Sequence, residues 1–374
     1  MEQDIYKLAI SRIPGMGCIT ARKIVSIVHD LEVVFLEKAS VLKRISGIGD
    51  FAAGKIARNR QSALELAHQE LEYCVRNEIS FISFIDKGYP LQLQECEDAP
   101  LLLYYKGCPD FGNVKNISVV GTRNVTRYGS ENCNKIVSQI AARHPEAVII
   151  SGLALGVDGI AHTAALKSGL KTWAVIGHGF KTIYPGEHYG LAADILEKNG
   201  AIITEYPHNS KIRPSNFVER NRIVAGLAKA VLVVESAKKG GAMITADLAN
   251  QYNRDVFALP GAVDRMGGNG CNLLIKTHRA HLCEDVEDIE YITGWKPNAE
   301  TKNCQSIEFP DDGRFSEQEL LILEALKKEQ YNDFDGLLTK TGLTTGQIST
   351  SLLELEFRGI IRSLPGKIFS LRKS

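Results

Sequence analysis

Three things are missing from this chain of 374 residues: a net charge, a long apolar run and any closely spaced cysteine pair. Its 44 lysines and arginines are balanced by 44 aspartates and glutamates, so any surface for nucleic acid or another polyanion has to be local. No stretch approaches the ~20 apolar residues that a membrane helix needs. The start, Met1-Glu2-Gln3-Asp4, has neither the basic segment nor the apolar core of a secretion signal, so no membrane partner is expected. Eight cysteines are scattered without a Cys-x-x-Cys pair, which argues against zinc and against a disulfide framework. A reduced, cytoplasmic compartment is expected, with no cofactor and no metal. The length allows two or three domains at ~100–200 residues each.

The positive charge that is present is clustered. Lys43–Arg60 holds five basic residues and one acid, Lys211–Arg222 four and one, and Arg358–Lys373 five and none. Taken singly, each run also reads as a solvated face. The first run overlaps a repeated motif. Ile13-Pro14-Gly15-Met16-Gly17 and Ile45-Ser46-Gly47-Ile48-Gly49 each place an apolar residue before Gly-x-Gly, and a helical pattern with basic residues follows at once. Glycines allow a sharp turn, and the next helix offers free N–H groups to an anion. The pair resembles a tandem helix-hairpin-helix, which grips nucleic-acid backbone without reading sequence, through Gly15, Gly17, Gly47 and Gly49. Two plain helical corners are the other reading. Residues 1–62 are expected to form this unit and to be dispensable for folding of the core, with 63–77 a connecting helix.

From Ile79 the period changes to strand-like alternation. Strand-length apolar runs then recur at Ile117–Val120, Ala147–Ile150, Thr172–Ile176, Ala201–Thr204, Ala230–Val234 and Val256–Leu259, with helical patterns between most of them. Such alternation predicts a parallel sheet covered on both faces, an α/β core over 63–295. Ligands in such sheets sit at the carboxyl ends of strands, and this chain puts its glycines there. After Trp295 the text turns polar, and 296–314 reads as a linker. Residues 315–374 read as three helices and a hairpin around Pro365-Gly366. They resemble a small winged helix-turn-helix, a unit that binds DNA or mediates protein contacts.

Four segments of the core carry chemistry. Gly121-Thr122-Arg123 follows a strand and precedes a helix, where a dinucleotide fingerprint would stand, but the Gly-x-Gly-x-x-Gly spacing is absent. A guanidinium with backbone N–H groups makes a phosphate clamp, or else an arginine paired with a structural carboxylate. Asp158 and His162 lie one helical turn apart. Without a neighbouring nucleophile they read as a helix N-cap and a satisfied histidine rather than an acid–base pair. Arg213, Arg220 and Arg222 surround Phe217 and Asn221, a pattern suited to phosphate pairing with base stacking, although a lone phenylalanine is equally a core residue. Gly240-Gly241-Ala242 opens a helix after the fifth strand and makes a second anion cradle.

Taken together these motifs resemble a known family. In order, the chain has Gly121-Thr122-Arg123 with Tyr128-Gly129, then Ser151-Gly152-Leu153-Ala154-x-Gly156-x-Asp158-Gly159-x-Ala161-His162. Gly177-x-Gly179 leading to Tyr184-Pro185, Thr204-Glu205-Tyr206-Pro207 and Phe217-x-x-Arg220-Asn221-Arg222 follow. Ile244-Thr245-Ala246 with Pro260-Gly261 closes the series. The series is similar to the DNA-processing protein A (DprA/Smf) family, most strongly over residues 79–285. The resemblance implies an extended Rossmann-like core that binds single-stranded DNA, forms homodimers, protects incoming DNA and loads RecA recombinase during natural transformation. Lys181 stands where the family usually carries an aspartate, and it is expected to add positive charge to the DNA-binding set. The sequence departs from the family pattern at Gly240-Gly241-Ala242, where two hydroxyls are missing, and at Lys181 and His188.

Two other functions compete. A nucleotide-hydrolysing Rossmann-like enzyme would need a Pro-Gly-Gly-x-Gly-Thr-x-x-Glu site. Pro260-Gly261-Ala262-Val263-Asp264 lacks its second glycine and its glutamate, so no general base is visible. A winged-helix transcription regulator would leave the Gly121-Thr122-Arg123 clamp unexplained. No catalytic residue is expected.

Overall fold

The apolar runs become strands buried on both faces. Along the strand Ala230–Val233, Val231 and Val233 enter one core while Ala230 and Leu232 enter another on the opposite face. Such runs lack polar alternation because neither face meets water. The structure, a computed structural model, describes residues 2–45, 47–113, 115–262, 268–297, 315–328, 332–364 and 368–371. The chain divides into two compact units, Met1–Lys302 and Asn303–Ser374.

The first unit begins with α1 (Glu2–Ser11), α2 (Cys18–Ile27), α3 (Glu32–Leu36), α4 (Ala39–Leu42) and α5 (Asp50–Arg76). Then come β1 (Ser80–Ser83), α6 (Leu91–Gln94), β2 (Leu102–Gly107), β3 (Asn116–Val120), α7 (Arg127–Arg143), β4 (Val148–Ser151) and α8 (Val157–Lys167). These are followed by β5 (Lys171–Val175), α9 (Tyr189–Glu197), β6 (Ala201–Thr204), α10 (Pro214–Leu227), β7 (Ala230–Val233) and α11 (Gly241–Gln251). β8 (Asp255–Ala258), α12 (Asn269–Lys276), β9 (His281–Leu282) and α13 (Val286–Thr293) complete it.

The nine strands lie in the order β1-β2-β6-β5-β4-β3-β7-β8-β9. All neighbours from β6 to β9 are parallel, and the β1–β2 hairpin adds antiparallel to the β6 edge. The expected α/β, Rossmann-like sheet is present. The chain winds outward from β3 to β6, then returns to lay β7 on the other side of β3. That reversal is a topological switch point, where the loops at the carboxyl ends part and leave a crevice.

The helical N-terminal region is joined to this sheet more closely than expected. α5 is one helix of 27 residues, and the boundary expected after residue 62 falls inside it. Ile56, Ala63 and Ala67 of α5 share a core with Leu101, Leu102 and Tyr104 of the β2 segment. Removing residues 1–62 would strip that face of the sheet, so the expectation that the core folds without them does not fit the packing. The reason is physical: the apolar stripe of α5 runs on past the glycine hairpin and needs a partner.

The second unit holds α14 (Glu317–Lys328), β10 (Asn332–Asp333), α15 (Phe334–Thr341), α16 (Thr345–Phe357), β11 (Ile361–Leu364) and β12 (Ile368–Leu371). Its strands form a small sheet in the order β10-β12-β11. Leu323, Leu326, Leu337, Ile348, Leu352 and Leu355 make its core. A capping box between Thr344 and Gln347 starts α16. Three helices and a hairpin form the winged helix expected. Most of the expected linker, 298–314, and the Pro365-Gly366 turn lie outside the described residues. Among the described residues no helix is long and apolar enough to cross a membrane, and no cluster of His, Cys, Asp and Glu could hold a metal ion.

Candidate nucleic-acid interface

At the switch point a cleft of about 270 Å³ opens between the ends of β3 and β7. Three expected segments form its walls. Gly121, Thr122 and Arg123 leave β3, while Phe217, Arg220 and Asn221 project from α10. Gly240, Gly241 and Ala242 begin α11. Pro214 is the first residue of α10, where its missing N–H costs nothing. From there the spacing of 217, 220 and 221 keeps the three side chains on one face.

The rim carries cation and aromatic groups. The guanidinium carbon of Arg123 lies 5.9 Å from the centre of the Phe217 ring. Phe217 also packs against Tyr184, with centroids 5.4 Å apart and planes tilted by 43°. Arg123 is exposed and Tyr184 is 45% exposed, so the half-buried Phe217 ring bridges two groups open to solvent.

Two buried ionisable side chains form the floor. Arg220 is 4% exposed and Asp158 8% exposed. Burial pushes the Asp158 carboxyl above its usual range, against the pull of Arg220. Burial also lowers Arg220, but a guanidinium remains cationic in proteins. Nε of Arg220 has no hydrogen-bond partner. Asp158 is not the N-cap expected: Gly156 holds that position, and Asp158 sits in the first turn of α8, accepting from the Ala154 N–H at 3.3 Å. One turn on, His162 bonds Thr172 Oγ1 at 2.6 Å, and burial holds its pKa down at about 3. It is a neutral core histidine whose Nε2 is left without a partner.

The helices that follow β3 and β7, the two strands beside the crevice, differ at their N-termini. That of α7 is filled from within. Glu235, 5% exposed, accepts from the Thr126 N–H and Oγ1, both at 3.0 Å, where a dinucleotide fold would receive pyrophosphate. The sequence reading missed this residue; the available signal was a lone carboxylate closing the apolar run of β7. The N-terminus of α11 is open. Gly240 caps it without a side chain, no acid stands in its first turn, and Gly241 is exposed. The hydroxyls missing from Gly240-Gly241-Ala242 have neighbours in Ser236 and Thr245, which line the same cleft. Both donate to backbone carbonyls, of Ala237 and Gly241.

Four singled-out residues lie outside the cleft. Arg222 points away from Phe217 and pairs with Glu205, so it is spent on structure. Arg213 is the exposed N-cap of α10. Lys181 is exposed on the loop after β5, its backbone N–H 3.4 Å from the His208 carbonyl. His188 bonds the Leu153 carbonyl at 2.9 Å and braces the turn into α8.

The glycine hairpins start helices as expected. Gly15 and Gly47 take left-handed φ values of 69° and 86°, and Gly17 and Gly49 are the N-caps of α2 and α5. The cations after them are largely committed elsewhere. Arg22 binds the carbonyls of Cys96 and Glu97, Arg60 those that end α3, and Lys55 that of Gly15. Asp50 already stands in the first turn of α5, paired with Lys43, whereas α2 has no acid there. The first hairpin is therefore the more open to a phosphate.

Residues 80–293 match the family model described as DNA recombination-mediator protein A, and residues 311–367 match the DprA winged helix domain. Protein Smf of Synechocystis sp. is 31% identical over 401 aligned residues, covering 99% of both chains. The X-ray structure of DNA processing protein A from Streptococcus pneumoniae superposes with a TM-score of 0.63 at 30% identity, covering 78% of this chain and 97% of that one. The Helicobacter pylori protein, whose structure concerns its single-stranded DNA binding mode, gives 0.51 at 27% identity over 57% of this chain and 95% of that one. With this cleft at the switch point of this sheet, and with these matches along its length, the chain belongs to the DNA recombination-mediator protein A family, the DprA or Smf proteins.

Proposed function

We propose that the switch-point cleft holds single-stranded DNA and that the protein works as a cytoplasmic homodimer. In this reading it protects incoming strands and places RecA recombinase on them during natural transformation, without covalent chemistry. The observation that carries the reading is the conjunction of Arg123, Phe217 and the open N-terminus of α11 around one cleft. A cation and N–H groups suit phosphates, a half-exposed ring at the rim suits bases, and neither demands a particular sequence. Arg220 and Asn221 deepen the cleft from α10, and Gly121 and Thr122 offer backbone at the end of β3. Lys181 and Arg213 lie on neighbouring loops, where they would meet a strand leaving the cleft. Gly15, Gly17, Gly47 and Gly49 add backbone contacts further along. A dimer joins two such sites on one strand and raises their effective concentration.

The experiment is RecA filament formation on strands coated with single-strand binding protein, with and without this protein. Faster nucleation supports the adaptor role, and no acceleration with RecA of the same cell removes it. A salt titration of single- and double-stranded oligonucleotides, with a nucleotide-hydrolysis assay alongside, separates this function from the regulator and the hydrolase.

A further inference from the structure

A carboxylate on α5 reaches the segment that leads into the cleft. Glu70 lies in the last two turns of α5 and is 1% exposed. One oxygen accepts the backbone N–H of His208 at 2.9 Å, and the other accepts from His208 Nδ1 at 2.6 Å. The second oxygen also pairs with Arg12, the residue after α1. Tyr73, one turn further on, stacks on the His208 imidazole with centroids 4.1 Å apart and planes 13° from parallel. Helix α5 therefore holds the backbone, a ring nitrogen and a ring face of one residue.

That residue lies between the two loops that bear the aromatic rim. Gly179 packs so tightly on this segment that a β-carbon there would lie 2.0 Å from the Pro207 carbonyl oxygen and 2.5 Å from that of His208. The Lys181 N–H points to the same His208 oxygen. The loop through Gly179 and Lys181 continues to Tyr184, and the segment through His208 continues to Arg213 and, one turn into α10, Phe217. Tyr184 and Phe217 then meet across the gap. Buried ion pairs add little net stability, but their geometry is specific, and an apolar residue at 70 could not hold two N–H groups at once.

We infer that Glu70 is a positioning residue for DNA binding: through His208 it latches both loops and sets the distance between Tyr184 and Phe217. The inference rests on the reading of the cleft as the single-strand site. It gives the helical region a part in shaping the cleft as well as any backbone contact of its own.

The test uses the full chain, a fluorescein-labelled oligothymidylate, and hydrogen exchange read over residues 177–185 and 205–217. Glu70→Gln removes the charge. His208→Phe keeps the stack on Tyr73 but loses the donor, and His208→Asn returns a donor near the place of Nδ1. The first two are expected to weaken binding about tenfold, the scale of one lost charged hydrogen bond, and to speed exchange in those two segments alone. His208→Asn is expected to restore binding to within about twofold of wild type. Glu70→Gln should add little in a Phe217→Ala background, because both changes act on the same ring. Unchanged affinity despite faster local exchange would overturn the inference, as would exchange that rises across the whole sheet. Wild type that fails to bind the oligonucleotide would sink the reading of the cleft, an outcome distinct from wild type and variants binding alike.

Discussion

Nη1 of Arg220 lies 1.5 Å from the place where a β-carbon on Gly152 would stand. The guanidinium therefore rests on bare backbone at the end of β4, a position only glycine permits. Gly152→Ala should evict it from the floor of the cleft. Single-strand affinity is then expected to fall as far as in Arg220→Ala, and overpacking should lower stability by about 1–3 kcal/mol. Oligonucleotide titration with thermal melting checks both. An alanine variant that binds as wild type would take the buried guanidinium out of the DNA contact.

Arg123 and Phe217 should fail in different ways. Arg123→Ala removes one exposed cation, so the slope of log affinity against log salt should shrink by ~0.7 for a single strand while circular dichroism stays the same. Phe217→Ala should cost ~1–3 kcal/mol of binding with little change in slope. Equal slopes for wild type and Arg123→Ala would mean that no phosphate meets this arginine.

These two residues also mark how far the sequence could be read. The parallel strands were legible because burial on both faces leaves unbroken apolar runs, and the glycines that follow them marked the cleft. Strand β2 was not legible: Leu102–Gly107 pairs antiparallel with both β1 and β6 and shares its core with α5, a partner that no local pattern announces. Arg220 and Arg222 are the same residue type two positions apart. About 200° of helix rotation separates them, which puts one in the cleft and the other on Glu205. In the hairpins, Arg22, Lys55 and Arg60 read as free charge but end on backbone carbonyls, contacts that exist only after the helices pack.

His162 makes stability depend on pH. In the folded chain its pKa is about 3, against 6.5 for the free side chain. The folded state keeps it neutral where the unfolded state binds a proton, so its contribution is complete above pH 6.5. That contribution is lost as pH falls from there towards 3, at about 1.4 kcal/mol per pH unit. Burial lowers His144 and His178 as well, and both act in the same direction. Asp158, raised by burial, offsets part of this at the acid end, because its carboxyl is favoured protonated in the fold. His162→Gln should therefore reduce the dependence of unfolding free energy on pH, between about pH 6 and 4, by about one proton. An unchanged slope would assign the effect to another group.

A chain beginning at Ile79 should fold poorly. It would uncover Leu101, Leu102 and Tyr104, which are at most 5% exposed in the whole protein. It would also leave His208 without Glu70. Low solubility or dye binding typical of exposed apolar surface is expected. A soluble, cooperatively melting fragment with wild-type affinity would return the helical region to the status of an appendage.

The order in which the sheet is wound also has a consequence in time. Ile117 of β3 pairs with Ala230 of β7, so everything between them must be made before that pairing can form. At ~5–20 residues per second, translation leaves β3 waiting roughly 6–23 s as the bare edge of a half-built sheet. Its neighbour β4, with β5 and β6 beyond it, can already be in place, and an unpaired apolar edge is a template for other nascent chains. The cleft cannot exist during that interval, because α11 follows β7. The moment of greatest exposure to misassembly therefore falls on the ribosome, at a strand that the finished sheet buries at every residue.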